Sequence, residues 1–366
     1  MQQNILVVFG GVSNENEISV ITGTMAANVL KNSGCAVVPF YIAQDGSAYC
    51  SEELADISNF KEEKFNRFPK ALIAGGGVYI LNKKGRFKKF VKVDAALNCC
   101  HGGAGEGGAV SGLCQTAGIP LASAKIFESS LFMDKYLTKL ILSSLGIKTV
   151  DYAVVKNMQE LDTCPNMPQF PLIVKPVNLG SSIGVEMVEN TEELKCAVES
   201  ALIYDKAALI EKYIENRREI NCAAYFANGQ VITSECEEAF TKGDILSFED
   251  KYQGGGKSAL PADIPLDISQ LIKETTKKVY TSLDMRGIVR FDYILEDDNV
   301  YLSEVNTVPG SLSYYLLSSG FKDFASVLNA VIRQAVEDDK EEKNKKLLHT
   351  GILESIKPGN IKLGSK

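Results

Sequence analysis

The first 125 residues alternate short apolar runs with glycine-rich turns and helical stretches, and this alternation constrains the fold more than any other feature. Ile5 to Phe9 is typical of a buried parallel strand, and Gly10-Gly11 and a helical stretch follow it. Val37 to Ile42 and Ala95 to Cys100 have the composition of further strands. Because parallel strands need crossover connections, which helices usually supply, the pattern predicts an α/β domain in this part of the chain.

Length, charge and hydropathy narrow the class of protein. A chain of 366 residues is too long for one simple core, so two or three domains are expected. The net charge of −7 argues against a nucleic-acid partner, which requires a basic face. No apolar run reaches the roughly 20 residues of a membrane span, and the N-terminus enters the first strand without a signal-type segment. We therefore expect a cytoplasmic chain of enzyme size, with neither a nucleic-acid nor a membrane partner.

The nine cysteines are scattered without a Cys-x-x-Cys pair, and only two histidines, His101 and His349, accompany them. This inventory does not supply a zinc site of the usual spacing. We expect the cysteines to be reduced thiols, most of them buried.

Arg290-Phe291-Asp292 and Glu304-Val305-Asn306 flank a polar turn and form the strongest site signal. A hairpin centred on Asp298 places Asp292 opposite Glu304, and it places Arg290 opposite Asn306. Two carboxylates, an amide oxygen and a guanidinium then converge on one surface. Hard oxygen ligands beside a fixed cation suit Mg²⁺ that bridges phosphate oxygens. The alternative is an exposed hairpin with ordinary surface charges.

A second signal joins an apolar strand to a small, pliable loop. The stretch from Leu172 to Lys175 is predicted to be a strand with a lysine at its end. The loop that follows, from Gly180 to Gly184, contains two serines. Such a loop can fold over phosphates and offer backbone N–H groups and hydroxyls, while the lysine contributes a point charge. It is not a Walker A loop, because no Gly-Lys-Ser/Thr closes it. The alternative is a plain strand-turn-strand unit.

Several further polar positions are weak signals individually. The strand that carries Glu211 is suited to read an adenine edge, and Glu219 is a candidate for ribose hydroxyls. His101 precedes a glycine-rich turn and is a candidate to orient a substrate. Glu15 is a candidate partner for an ammonium group, and Lys251 for a phosphate. Each has an ordinary alternative, respectively a plain strand, a turn histidine, a helix start and a solvated lysine.

Taken together in chain order, these motifs resemble the D-alanine–D-alanine ligase family of the ATP-grasp superfamily over about residues 4–336. The segments that carry the resemblance are Gly10–Glu15, His101–Glu106, Met133–Lys135, Lys175–Gly184, Glu211-Lys212, Lys251-Tyr252, Arg290–Asp292 and Glu304–Gly310. The resemblance implies a mixed α/β and α+β multidomain fold. A Rossmann-like N-terminal α/β domain (1–126) precedes a central ATP-grasp module (127–222), a C-terminal ATP-grasp module (223–336) and a charged tail of unknown role (337–366).

The resemblance also implies a role for each matching position. The positions implied to act in catalysis are Glu15, Ser181, Tyr252, Arg290 and Gly310. Those implied to bind ATP are Lys135, Lys175, Ser181, Ser182, Glu211, Lys212, Tyr213, Ile214, Glu219 and Lys251. Two Mg²⁺ ions, with Mn²⁺ as a possible substitute, are implied at Asp292, Glu304 and Asn306. Those implied to contact the amino-acid substrates are Glu15, His101, Arg290, Gly310, Tyr315 and Leu316.

By the same resemblance, the enzyme joins two D-alanines through an acyl phosphate for peptidoglycan synthesis, and a homodimer is expected. Two departures concern the second substrate: Tyr315 stands where the family typically has serine, and Leu121 to Lys125 differs from the common sequence there. These departures leave two alternatives open. One is a related ligase with a different second amino acid, and the other is an ATP-binding protein without turnover.

Overall fold

Four β-sheets with flanking helices make up the part of the chain that the computed structural model describes, residues 2–180, 182–240, 257–345 and 351–352. The strands are β1 (Asn4–Gly10), β2 (Ala36–Ile42), β3 (Ala48–Cys50), β4 (Ala71–Ala74), β5 (Gly77–Leu81), β6 (Phe87–Lys92), β7 (Ala95–Asn98), β8 (Tyr152–Val155), β9 (Leu172–Pro176), β10 (Glu186–Val188), β11 (Ala208–Lys212), β12 (Arg218–Ala227), β13 (Gln230–Thr233), β14 (Glu237–Phe240), β15 (Lys257–Ala259), β16 (Ile288–Glu296) and β17 (Asn299–Asn306). The helices are α1 (Asn16–Asn32), α2 (Val110–Thr116), α3 (Ile126–Met133), α4 (Lys135–Ser144), α5 (Met158–Asp162), α6 (Thr191–Tyr204), α7 (Leu266–Ser282), α8 (Tyr314–Leu317) and α9 (Phe321–Lys343). Short 3-10 segments add Glu52–Ala55, Ile57–Arg67 and Gly310–Ser313, and a π-helical turn covers Gly105–Ala109.

The N-terminal sheet has the strand order β3-β2-β1-β7, with β2, β1 and β7 parallel. The predicted N-terminal α/β unit is thereby confirmed. Gly10 ends β1 with φ +89°, and a Cβ there would collide with the carbonyl oxygen of Ile42. Only glycine fits such a turn, which directs the chain from the end of β1 toward the start of α1.

A small antiparallel sheet, β4-β5-β6, covers part of this domain. Ala71, Ile73 and Val78 point inward and belong to one hydrophobic cluster with Leu6 and Val8 of β1. The opposite side of the small sheet has no covering element among the described residues, and its side chains are largely exposed.

The central sheet, β10-β9-β11-β8, and the C-terminal sheet, β15-β14-β12-β16-β17 with β13 on β12, are both antiparallel. Helix α6 packs on the central sheet, and α7 packs on the C-terminal one. A break at Asp134 separates helix α3 from helix α4. The carboxylate of Asp134 caps α4 by accepting bonds from the N–H groups of Tyr136 and Leu137, both at 3.0 Å.

The register predicted for the β16–β17 hairpin is confirmed near the site, but the predicted centre of its turn is wrong. Asp292 pairs with Glu304, and Arg290 pairs with Asn306. The turn itself is the two-residue Asp297-Asp298, since Glu296 pairs with Asn299. A β-bulge between these two regions inserts one extra residue on β17 and restores the expected pairing.

Helix α9 returns the chain to the N-terminal sheet. Phe324, Leu328 and Ile332 are fully buried in one cluster with Ile5 and Val7 of β1. The helix runs to Lys343, so the first part of the predicted charged tail is helical. The four predicted domain segments stay a prediction. No helix among the described residues is long and apolar enough to cross a membrane.

Candidate active site

A cleft of about 530 Å³ lies between the central and C-terminal sheets and gathers most of the predicted site residues. Predicted residues that line it are Lys135, Lys175, Ser182, Glu211, Lys212, Ile214, Glu219, Arg290, Asp292, Glu304, Gly310 and Tyr315. A second cavity of about 90 Å³ adjoins it and is lined by Glu15 and Asn306, besides Lys135, Arg290 and Glu304. One continuous region therefore receives residues from all three predicted domains.

Three buried charges form an ion-pair network at the wall of the cleft, where Lys175 and Glu211 line the cavity and Lys139 lies behind them. Glu211 Oε2 lies 2.6 Å from Lys175 Nζ, and Glu211 Oε1 lies 2.6 Å from Lys139 Nζ. Burial opposes ionisation of this carboxyl, but the two lysines outweigh it and lower the pKa of Glu211 to about 2. The Glu211 side chain thus binds lysines here. The backbone of β11, the strand that carries Glu211, is therefore the part of this segment that is suited to an adenine ring.

Lys139 is a residue that the sequence interpretation missed. It lies one helical turn after Lys135, on the same side of α4, and is 2% exposed. Its ammonium donates to the carbonyl of Val150 at 3.0 Å and lies 4.9 Å from the centre of the Tyr152 ring. The i, i+4 spacing of the two lysines was a usable signal for this position.

A polar row crosses the C-terminal sheet at the base of the cleft. Asn221 of β12 pairs on one side with Glu237 and on the other with Asp292, which in turn pairs with Glu304. Side chains in one row of adjacent strands share a face of the sheet. Asn221 and Glu237 were missed by the sequence interpretation, and Asn221 Nδ2 donates to Glu237 Oε2 at 3.1 Å.

Arg290 and Asn306 form the neighbouring row and fix Asp292. The guanidinium is bidentate on the carboxylate, with Nε to Oδ1 at 2.7 Å and Nη2 to Oδ2 at 2.9 Å. Asn306 Nδ2 donates to Oδ2 of the same carboxylate at 2.9 Å. Across the cleft, Lys135 Nζ lies 3.8 Å from Glu304 Oε1 and donates to the carbonyl of Leu179 at 2.5 Å.

The chemistry of this donor set fits Mg²⁺. Asp292, Glu304 and Asn306 offer carboxylate and amide oxygens, which are hard ligands, and no soft thiolate lines the cleft among the described residues. No cluster of three His, Cys, Asp or Glu side chains of the metal-binding kind occurs within the described ranges. A site with few protein ligands suits Mg²⁺, because this ion usually keeps several of its waters and also binds the phosphate oxygens of a nucleotide.

Glu15 brings the N-terminal domain to the phosphate-loop candidate. It precedes α1, and a Cβ on Gly180 would lie 3.0 Å from its Oε2. A Cβ on Gly102, whose φ is +64°, would clash with the same carboxylate. Ser182, with φ +57°, belongs to this loop, whereas Ser181 lies outside the described residues.

His101 does not line the cleft but supports the loop that does. Its Nε2 lies 2.8 Å from Thr22 Oγ1, and that hydroxyl accepts a bond from the N–H of Ser311 at 3.0 Å. Burial lowers the pKa of His101 to about 4, although a bond to the backbone of Val308 opposes the shift. The imidazole is therefore neutral at pH 7 and connects α1 to the segment after Gly310.

This shift gives a pH dependence of stability that a His101→Gln variant isolates. The folded-state pKa is below the ordinary 6.5, so the unfolded chain binds more protons between pH 6.5 and 4. We expect the free energy of unfolding to fall by about 2 kcal/mol more in the wild type than in the variant between pH 8 and pH 5. Urea unfolding at both pH values measures this, and equal falls in both proteins would contradict it.

Another buried titratable group next to the site is Glu106, which the sequence interpretation did not assign. Its Oε2 accepts a bond from the N–H of Gly102 at 2.7 Å, and it lines the smaller cavity with Glu15. Burial raises the pKa of Glu106 to about 7, against the effect of that hydrogen bond. The smaller cavity therefore has a carboxyl that is part-protonated near neutral pH.

The remaining predicted positions divide into three groups. Glu219 lines the cleft and accepts a bond from Arg217 Nε at 2.9 Å. Tyr213 lies outside the cleft lining, with its N–H donating to the carbonyl of Pro171 at 2.9 Å, and Leu316 is buried. Lys251 and Tyr252 lie outside the described residues.

Tyr315 lies beside the guanidinium of Arg290 in the lining of the cleft. Burial raises the pKa of its phenol, and the positive charge of Arg290 opposes that rise. A neutral hydroxyl therefore faces the cleft next to a fixed cation.

Comparisons with known proteins agree with this geometry. A family model described as D-ala D-ala ligase N-terminus matches residues 4–124, and one described as D-ala D-ala ligase C-terminus matches residues 141–337. The chain is 34% identical over 349 residues to a D-alanine–D-alanine ligase of Thermosipho melanesiensis, covering 93% of this chain and 95% of that protein.

Solved structures that resemble this chain are also ligases of this kind. The crystal structure of a D-alanine–D-alanine ligase from Helicobacter pylori is 30% identical, with a TM-score of 0.75 over 91% of this chain and 98% of that one. The VanG D-Ala:D-Ser ligase from Enterococcus faecalis is 24% identical, with a TM-score of 0.76 over 92% and 100%, and it supports the fold alone. The resemblance inferred from the motifs and the ATP-grasp fold are thereby confirmed.

Proposed function

Because this chain belongs to the D-alanine–D-alanine ligase family, we propose that its cleft joins two D-alanine molecules and converts ATP to ADP and phosphate in the same reaction. One observation carries the proposal. Two lysines, Lys135 and Lys175, face the two carboxylates Asp292 and Glu304 in a single cleft that Arg290 also lines. Cations for phosphates, oxygen ligands for Mg²⁺ and a rigid guanidinium are the parts that acyl-phosphate chemistry requires.

The first step forms an acyl phosphate. The carboxylate of the first D-alanine attacks the γ-phosphorus of ATP, and the bond to the bridging oxygen breaks to release ADP. Lys135 and Lys175 hold the phosphates, and the ammonium group of the substrate meets Glu15 in the smaller cavity. Asp292, Glu304 and Asn306 would hold Mg²⁺, which would supply stabilisation of the negative charge that develops in the transfer.

The second step forms the peptide bond. The neutral amine of a second D-alanine attacks the carbonyl carbon of the acyl phosphate, and negative charge develops on the carbonyl oxygen. Arg290 meets that charge without reorganising, because two hydrogen bonds to Asp292 already fix its guanidinium. Inorganic phosphate leaves with the bonding electrons, the amine loses its proton and the dipeptide remains.

The finer parts of the proposal come from the family. We propose two Mg²⁺ ions (with Mn²⁺ as a substitute), a homodimer in the cytoplasm and a role in peptidoglycan synthesis. Ser181, Lys251 and Tyr252 are proposed to complete the phosphate and lid contacts. His101 and Leu316 are proposed to support the substrate site from outside the cleft lining.

A phosphate-release assay with ATP and Mg²⁺ tests the function. D-alanine alone is expected to give rapid phosphate release and one product, D-alanyl-D-alanine, by mass spectrometry. A second candidate, a ligase with another acceptor, is favoured by the bulky Tyr315 beside Arg290. No phosphate release with D-alanine alone, together with turnover when another amino acid is added, would select that candidate. No phosphate release with any amino acid would leave an ATP-binding protein and refute both ligase candidates.

A further inference from the structure

The small β4-β5-β6 sheet exposes an apolar face. Tyr79 pairs with Leu72 on one side and with Phe90 on the other, so the three side chains form a row across the strands. Leu81 and Phe87 pair further along the same face, and the rings of Tyr79 and Phe87 lie 5.8 Å apart. Leu72 is 59% exposed and Phe87 61%. Antiparallel sheets usually turn polar side chains to water, so this face is suited to contact another surface.

A concentration of positive charge surrounds this face. From Lys64 to Val93 the chain has nine lysines and arginines and no acidic residue, although its overall net charge is −7. Six of these cations lie on the β5–β6 hairpin: Lys83, Lys84, Arg86, Lys88, Lys89 and Lys92. All six are exposed, and none of them forms an ion pair with another described residue. The occupant of this face must therefore be anionic as well as apolar.

Three kinds of occupant differ in how well they meet both conditions. A second copy in a symmetric contact would bring two identical basic hairpins together, and a head-to-tail contact with an acidic surface would form a larger ring or an open filament rather than a closed dimer. A nucleic acid offers phosphates, but its apolar surfaces are stacked bases, which must be splayed out to meet exposed rings. An anionic lipid surface offers a layer of negative headgroups above an apolar interior, and both parts of the face match it.

We propose that the exposed face of the β4-β5-β6 sheet binds peripherally to anionic phospholipid membranes. The aromatic and leucine side chains enter the interface. The hairpin cations contact the headgroups, except Lys89, which pairs with Ile80 on the side of the sheet that packs against the domain. The lack of a long apolar run predicts no membrane partner, but a peripheral contact requires no such run. This site is separate from the ATP cleft, whose lining includes no described residue of the small sheet.

Vesicle flotation of the full-length protein tests the proposal. We expect binding to vesicles of phosphatidylcholine and phosphatidylglycerol, release at high salt, and no binding to phosphatidylcholine alone. Lys88→Glu/Lys92→Glu and Phe87→Ser/Phe90→Ser are each expected to weaken binding at least about tenfold. The matched control is Lys322→Glu/Lys340→Glu on α9, which makes the same charge change at exposed positions and is expected to bind normally.

Light scattering of the same variants separates the proposal from self-association. Loss of vesicle binding with an unchanged molar mass and unchanged ligase activity supports the lipid surface. A Phe87→Ser/Phe90→Ser variant that becomes smaller but still binds vesicles would overturn it in favour of a second copy. Equal weakening by the α9 control, or binding to a DNA duplex but not to anionic vesicles, would also overturn it.

Discussion

Replacing Arg290 by methionine is expected to lower kcat for dipeptide formation by about 10³-fold. The guanidinium is held by two bonds to Asp292, so it is a preorganised donor for charge that develops only in the transition state. Arg290→Lys keeps the charge but loses the planar fork, and we expect an intermediate loss of about 10²-fold. Quenched-flow measurement of dipeptide, with phosphate release in parallel, gives both numbers.

The matched control for this prediction is Arg333→Met. Arg333 is an exposed arginine on α9, outside the cleft lining, and its loss is expected to leave kcat unchanged. Thermal unfolding of every variant checks that the fold survives. An Arg290→Met enzyme with kcat within tenfold of the wild type would refute the assigned role.

The second large effect is expected from Glu211→Gln. Loss of this carboxylate leaves Lys139 and Lys175 buried without their shared partner, and breaking a buried ion pair costs about 3–5 kcal/mol. We expect the free energy of unfolding to fall by that amount and ATP binding to be lost. Urea unfolding and nucleotide titration measure the two consequences.

Glu215→Gln is the matched control, since Glu215 is an exposed carboxylate four residues further along the chain. Its loss is expected to change stability by less than about 0.5 kcal/mol. The double variant Lys139→Met/Glu211→Gln removes one of the two uncompensated charges, and it is expected to be more stable than Glu211→Gln alone. Equal stability of the Glu211→Gln and Glu215→Gln variants would refute this account.

The residues predicted best from the sequence are those whose placement depends on local periodicity. Alternation along a strand was enough to put Arg290 and Asp292 on one face, because side chains on a strand have a period of two. The predicted pairing of β16 with β17 was correct near the site, although the predicted centre of the turn was wrong. The bulge at Ser303 compensated for the error, and a bulge of this kind has no reliable signature in a single sequence.

Long-range contacts were the part that the sequence did not predict. Glu211 stays a predicted nucleotide contact, but the sequence did not predict that strand packing brings its side chain between Lys139 and Lys175. Glu237 and Asn221 were missed because their importance depends on the pairing of β14 with β12, between segments that contain no motif. The contact of the His101 ring with Thr22 was also not predicted, because Thr22 lies on a helix far away in sequence.

The return of α9 to the first sheet has a consequence for how the protein is made. Ile5 and Val7 leave the ribosome early, but Phe324, Leu328 and Ile332, which share their core, are translated about 320 residues later. At 5–20 residues per second, this interval is roughly 15–60 s. During that time the part of this core that α9 later fills stays open. The N-terminal domain therefore completes its core last although it is synthesised first, and a nascent chain that stalls before α9 presents an apolar surface to chaperones and proteases.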